Sequence, residues 1–267
     1  MTDLPDLEVL QQIVIDAARE QLLPRFTQVE RSHKADGSVI TEADLAMQQG
    51  LQTALQARWP EIDFLGEEME GAQQQRLISD ATRPLWVLDP LDGTSNFAAG
   101  LPLFSTSLAL LWQGEVVLGL VYDPIRDECF SARKDSGAWL NGQPLGQHRP
   151  PGPLAKGIGL IDFKRLAPEL ATRLVRDMPY SSQRSLGSVA LDWCWIAAGR
   201  CHVYLHGKQK LWDYAAGWLI LAETGGYSCD LGGATVFQPS LTPRSAVAAL
   251  ELELFLDWCR WLGIQTA

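Results

Sequence analysis

The chain is 267 residues long and 46% apolar, enough for one large domain or two small ones around a sizeable core. Its formal charge of −10 repels nucleic-acid backbones and acidic lipid, so direct binding to either is not expected, and a phosphorylated substrate would need local cations. No apolar run reaches membrane-spanning length, and the first five residues lack the basic start and apolar block of a leader, so the expected location is the cytosol.

Residues 6–23 read as a helix with Leu7, Leu10, Val14, Ala17 and Ala18 on one face, ended by Pro24. A polar loop over 31–38 carries Lys34. Thr41 and Asp44 then stand at capping-box spacing and open a second helix that runs to Trp59-Pro60. A short strand over 62–65 leads into Gly66-Glu67-Glu68. Residues 85–88 form a buried strand that Pro90 should end, because proline offers no N–H to the ladder. Strands over 105–112 and 115–122 flank Gln113-Gly114 as a hairpin, and 128–133 and 138–140 extend the meander.

The Pro-rich stretch 148–153 is the expected boundary between an N-terminal half, 1–147, and a C-terminal half, 154–267, of one domain. Beyond it, strands over 157–161, 183–186 and 202–205 alternate with helices over 168–177, 189–198 and 213–224. Gly225-Gly226 caps the last of these, and 250–262 is a final amphipathic helix. Meander and alternation together predict an α/β chain of layered helices and sheets. The five cysteines, Cys129, Cys194, Cys201, Cys229 and Cys259, are odd in number and lack CxxC spacing, so they are expected to be buried free thiols.

The chemistry concentrates in Asp89-Pro90-Leu91-Asp92-Gly93-Thr94-Ser95-Asn96-Phe97. Two carboxylates three residues apart repel one another, and the pair makes sense with a divalent cation between them. Glu67, Asp89 and Asp92 with the Leu91 carbonyl can hold one ion, and Asp89, Asp92 and Asp213 a second. Two such ions would polarise a phosphoryl oxygen and lower the pKa of a bound water. Taken singly, each acid also has an ordinary reading: Asp213 as a helix N-cap, Glu67 as a solvated loop acid, Asp89 and Asp92 as turn residues. Gly93-Thr94, ahead of a helix starting at Ser95 or Asn96, offers an anion cradle or merely a tight turn. Gly187-Ser188 before residue 189 is either a second such site or a plain cap.

These residues carry a resemblance. The 89–97 run, together with Leu211-Trp212-Asp213-Tyr214-Ala215-Ala216-Gly217 and Glu223-Thr224-Gly225-Gly226, resembles the two signatures of the inositol monophosphatase family. Gly66-Glu67-Glu68 and Ser38-Val39-Ile40-Thr41-Glu42-Ala43-Asp44 match two further blocks, in the family's order and over most of the chain. The resemblance implies an αβαβα five-layer sandwich and a Mg²⁺-dependent phosphomonoesterase that binds two or three ions. It also implies tolerance of Mn²⁺, inhibition by Li⁺ and Ca²⁺, and a homodimer.

Carried over by position, Glu67, Asp89, Leu91 (through its carbonyl) and Asp92 match metal ligands, and Asp213 matches the ligand of the second metal. Asp44 and Thr94 match the pair that positions and deprotonates water, with Glu67 counted in the catalytic set. Gly93, Thr94, Ser95, Gly187, Ser188, Val189, His206 and Asp213 match substrate-binding positions. Lys34 matches the loop that closes near the site. His206 stands where a hydroxyl-binding Glu is common and Val189 where Ala is usual, while Lys208 and Lys210 lie close enough to meet a second anionic group. His206 alone also reads as a surface-loop histidine.

The expected function is hydrolysis of inositol 1-phosphate or a related small polyol or sugar phosphate by direct attack of water. A 3′(2′),5′-bisphosphate nucleotidase and a histidinol-phosphate phosphatase are the enzymatic alternatives. A protein-binding role in an RNA or transcription complex is the non-enzymatic one.

Overall fold

Each strand's alternation sends successive side chains to different apolar layers, and the helices fill the spaces between. The computed structural model describes residues 4–26, 28, 32–33, 39–147 and 152–265. In chain order the elements of the first half are α1 (Leu7–Gln21), β1 (Ser32–His33), β2 (Val39–Ile40), α2 (Glu42–Arg58), β3 (Asp63–Gly66) and α3 (Gly71–Ser79). Then come β4 (Leu85–Asp92), α4 (Thr94–Ala99), β5 (Ser105–Trp112), β6 (Glu115–Asp123), β7 (Glu128–Arg133), β8 (Gly137–Leu140) and β9 (Gln143–Pro144). The second half holds β10 (Ile158–Asp162), α5 (Pro168–Arg176), β11 (Ser182–Arg184), α6 (Val189–Ala197), β12 (Val203–Gln209), α7 (Leu211–Glu223), β13 (Tyr227–Cys229), β14 (Arg244–Ala249) and α8 (Leu252–Leu262).

The first half builds a seven-stranded sheet, β3-β4-β5-β6-β7-β8-β9, parallel only at β3–β4. The second half builds a five-stranded sheet, β11-β10-β12-β14-β13, in which β14 runs antiparallel to both neighbours. On β4, Trp86 and Leu88 face α1 and α2, whereas Leu85 and Val87 face α6 and α7. On β12, Tyr204 faces that same helix pair, while Val203 and Leu205 face α5 and α8. The order of layers is therefore helices, sheet, helices, sheet, helices, the α/β sandwich expected above. The middle helices come from the second half and lie on the first half's sheet. A Cβ on Gly119 of β6 would sit 2.8 Å from the Ala216 carbonyl of α7, so only glycine permits this approach.

Three local expectations are corrected. Strand β4 does not stop at Pro90 but continues to Asp92. Its neighbour β3 ends at Gly66, opposite Leu88, and along β5 Pro90 falls between the paired residues Asp89 and Asp92, so no strand pair is formed at Pro90 itself. A register shift between the pairs Asp89–Ser107 and Asp92–Ser105 absorbs the extra residue. Helix α7 starts at Leu211, which makes Asp213 its third residue and Lys210 its N-cap. Strands β13 and β14 and helix α3 lie in stretches read without structure; Ala246, Val247, Ala248 and Ala249 are buried on both faces and so show no alternation. Residues 148–151 of the expected boundary lie outside the described residues, as does Lys34.

Candidate active site

The ends of β3 and β4 and the starts of α6 and α7 meet at one place. Glu67 follows β3, and its amide donates to the Leu88 carbonyl at 3.0 Å, which ties it to β4. Gln74 of α3 holds the same corner by donating to the Gly66 and Glu67 carbonyls at 2.8 and 3.1 Å. Asp89 lies on the bulged end of β4, where its Oδ1 accepts from the Leu91 amide at 3.0 Å. Asp213 turns its Oδ2 toward the Lys210 amide at 2.8 Å. One carboxylate oxygen each from Glu67, Asp89 and Asp213 all lie within 4.8 Å of one another. Asp92 ends β4, and its Oδ2 accepts from Ser188 Oγ at 2.5 Å and from the Ala190 amide at 2.7 Å.

Next to the acids stands a hydroxyl and its acceptors. Thr94 Oγ1 lies 2.9 Å from the Leu91 carbonyl and 3.0 Å from Asp44 Oδ1. The other oxygen of Asp44 accepts from the Thr41 amide at 2.8 Å and the Thr41 hydroxyl at 2.7 Å. The capping box of α2 thus also aims Asp44 at Thr94. Gly93, with φ of +94°, caps α4 and lets the chain turn sharply from β4 into it. A Cβ there would lie 2.9 Å from the Leu103 carbonyl and 3.3 Å from that of Gly187. Gly187 therefore adjoins Gly93, and half-buried Val189 follows it; Ser95 is exposed on the first turn of α4.

Electrostatically the cluster is frustrated. Burial, then repulsion from Glu67, Asp92 and Asp213, pushes the Asp89 carboxyl well above its usual range. Burial with Glu67 and Asp92 raises Asp213 to about 8. Burial raises Asp92 to about 6, although bonds from Ser188 and from the Ala190 and Val189 amides pull it down. Burial also raises Asp44, against its bonds from Thr41 and Thr94. Among the described residues a lysine approaches: Lys210 Nζ is 3.6 Å from Glu67 Oε1. The ammonium of Lys210 does not balance four carboxylates, and an all-oxygen donor set of carboxylates and one carbonyl fits a hard divalent cation such as Mg²⁺.

Two expectations change. His206 is a buried residue of β12 rather than a loop histidine. Its Nε2 lies 2.9 Å from Asp162 Oδ2, and its Nδ1 accepts from the Lys208 amide at 3.2 Å. Both ring nitrogens face protein atoms, so His206 does not join the acid cluster. Ser188 is not a plain cap, because its side chain makes no capping bond to α6. Sequence reasoning missed Asp162, Ser105 and Gln74. Only Asp162 had a signal, at the end of an apolar strand, and its partner lies 44 residues on in a neighbouring strand.

The inositol monophosphatase family matches residues 6–256. A Nus factor SuhB of Pasteurella multocida is 36% identical over 232 residues, covering 84% of this chain and 83% of that protein. Inositol monophosphatase 1 of Solanum lycopersicum is 33% identical over 237 residues, covering 85% and 86%. The crystal structure of the extragenic suppressor protein suhB from Bartonella henselae superposes with a TM-score of 0.79 at 29% identity, covering 96% of this chain and 97% of that one.

Proposed function

Because this chain belongs to the inositol monophosphatase family and is a metal-dependent phosphomonoesterase, we propose that its substrate is inositol 1-phosphate or a related small polyol or sugar phosphate, cleaved by direct attack of water. The observation that carries this reading is the convergence of Glu67, Asp89 and Asp213 within 4.8 Å, beside a threonine hydroxyl 3.0 Å from a buried carboxylate.

On this reading Glu67, Asp89, Asp92, Asp213 and the Leu91 carbonyl hold two or three Mg²⁺ ions, with Mn²⁺ as a substitute and Li⁺ and Ca²⁺ as inhibitors. The chemistry such ions supply is Lewis acidity toward the phosphoryl oxygens and a lowered pKa for water. Thr94 donates its proton to Asp44, which leaves its oxygen lone pairs free to accept from water and hold it in line with phosphorus. Asp44, its carboxyl raised by burial, is the base that receives the proton released along this path. The backbone at Gly93, Thr94 and Ser95 binds the phosphate, with Gly187 and Val189 at its edge. Leaving-group recognition does not use a free imidazole, since both nitrogens of His206 are engaged; exposed Lys208 is the cation nearest along the chain for a second anionic group. We further propose a cytosolic homodimer. Among the described residues no helix is long and apolar enough to cross a membrane.

The test is phosphate release from inositol 1-phosphate, glycerol 2-phosphate, 3′-phosphoadenosine 5′-phosphate and histidinol phosphate, with Mg²⁺ and with EDTA, beside an Asp92→Asn control. Metal-dependent release that is fastest with a polyol phosphate and lost in the control supports the proposal. A preference for either of the last two substrates would move the chain to the nucleotidase or histidinol-phosphate alternative. The Pasteurella multocida relative is a Nus factor, which favours a second reading: a binding role in an RNA or transcription complex, which Asp92→Asn would leave intact in cells.

A further inference from the structure

We propose that Ser188 is a positioning residue for cation binding: it fixes which oxygen of Asp92 is offered to the ion, and so sets the ion's affinity from the opposite half of the chain. The inference rests on the reading above that Asp92 is a ligand.

An N-cap serine ordinarily accepts from the second or third amide of its helix. Ser188 makes no such bond. The Asp92 carboxylate takes that place instead. Its Oδ2 accepts from the amide of Ala190, the second residue of α6, at 2.7 Å, and from Ser188 Oγ at 2.5 Å. A carboxylate contributed 98 residues earlier therefore caps α6, and the serine hydroxyl is released to point at it.

The direction of the bonds follows from proton count. An ionised carboxylate only accepts, so Ser188 must spend its one proton on Asp92. Ser188 Oγ also lies 3.3 Å from Ser105 Oγ, and with its own proton committed it can only accept there. Ser105 is in turn the register partner of Asp92 on β5. Ser105, Ser188 and Asp92 thus form a directed chain in a buried place, where each bond polarises the next. With Oδ2 occupied by two donors, Oδ1 is the oxygen left for a cation, in a fixed plane. Without the Ser188 hydroxyl, only the backbone amides of Ala190 and Val189 hold the carboxylate, and it is freer to rotate about its last torsion. Orienting partners of this kind are worth about 10–100-fold in metal affinity.

The experiment is calorimetric titration of metal-free protein with MgCl₂, for wild type, Ser188→Ala, Ser188→Gly, Ser188→Thr and Asp92→Asn, with melting temperatures of the metal-free forms. Both Ala and Gly remove the hydroxyl and with it one buried hydrogen bond, so the metal-free melting temperature should fall modestly, and Ser188→Thr should restore it. Mg²⁺ should bind Ser188→Ala and Ser188→Gly about 10–100-fold more weakly than wild type, with Ser188→Thr restored to within a few-fold. Whichever hydroxyl-free variant folds carries the result. Wild-type Mg²⁺ affinity in that variant overturns the proposal. So does a raised KM for substrate phosphate at saturating Mg²⁺ with unchanged Mg²⁺ affinity, which would make Ser188 a substrate contact. Equal Mg²⁺ binding by wild type and Asp92→Asn would instead overturn the ligand assignment beneath it.

Discussion

The Thr94 hydroxyl lies 3.0 Å from Asp44 Oδ1 and so joins the first turns of α4 and α2 across 50 residues of sequence. Because Asp44 has its other oxygen committed to Thr41, its free oxygen has one task. Thr94→Ala and Asp44→Asn should each lower kcat by about 10²–10⁴-fold, the usual span for losing a positioned acid–base group. Asp44→Asn also disturbs the α2 cap and should cost about 1 kcal/mol of stability. Thr94→Ala should not, so melting curves separate the two variants.

Removing metal should invert the pH dependence of stability. Burial, Glu67 and Asp92 raise Asp213 to about 8 in the metal-free protein, and burial raises Asp92 to about 6. A carboxyl whose folded pKa exceeds its unfolded value binds more protons in the folded state, so stability falls as pH rises through those values. The melting temperature of EDTA-treated protein should therefore drop between pH 5 and pH 8. Saturating Mg²⁺, which binds the ionised forms, should abolish that drop and release protons on binding near pH 6–7. An EDTA-treated protein whose melting temperature rises over this range would refute the assignment.

His206 should contribute a dependence of the opposite sign. Burial lowers its pKa below the ordinary value, against the pull of Asp162. The unfolded chain then binds the proton more readily, and stability is lost as pH falls below about 6.5. Burial opposes the depression of Asp162, but His206 and Arg165 outweigh it, so that carboxylate's contribution disappears only at still lower pH. With Mg²⁺ saturating, urea melts of wild type and His206→Gln should diverge between pH 7 and pH 5.5, the variant showing the flatter profile. Asp162→Asn should cost about 1–3 kcal/mol at pH 7, because it weakens the bonds to a buried ring and a guanidinium.

All five cysteines are buried free thiols, with the sulfurs of Cys229 and Cys259 3.9 Å apart. Burial raises the thiols of Cys129 to about 12 and of Cys201 to about 11. Neither thiolate forms at neutral pH, and bulky reagents do not reach the sites. A thiol-reactive chromophore should titrate almost nothing in the native protein within minutes, and five groups in guanidinium.

The chemistry was legible where it is local. The Asp89–Asn96 run and the Thr41–Asp44 spacing each place their own donors and acceptors within a few residues, and both hold in three dimensions. What escaped was contact between distant segments. Ser188 looks like a cap in sequence because caps are read from the helix that follows, whereas its hydroxyl serves a strand 96 residues earlier. His206 looks exposed because Gly207 and Lys208 follow it, yet the register of β10 and β12 sets it opposite Asp162 inside the sheet. Proline ends a strand only where a neighbour needs its N–H, and Pro90 lies past the end of β3 and inside the register shift against β5, where no pair needs it.

The interleaving of the halves bears on how the chain is made. A growing chain released as far as residue 147 holds every strand of the larger sheet but neither α6 nor α7. Leu85, Val87, Ala109 and Leu111 would then face water on a bare sheet, and Asp213 would not yet exist to complete the acid cluster. At about 5–20 residues per second this gap lasts several seconds. Binding of Mg²⁺ can therefore reward only the finished chain, and the interval before α7 docks against Gly119 is when the nascent protein is most exposed to aggregation.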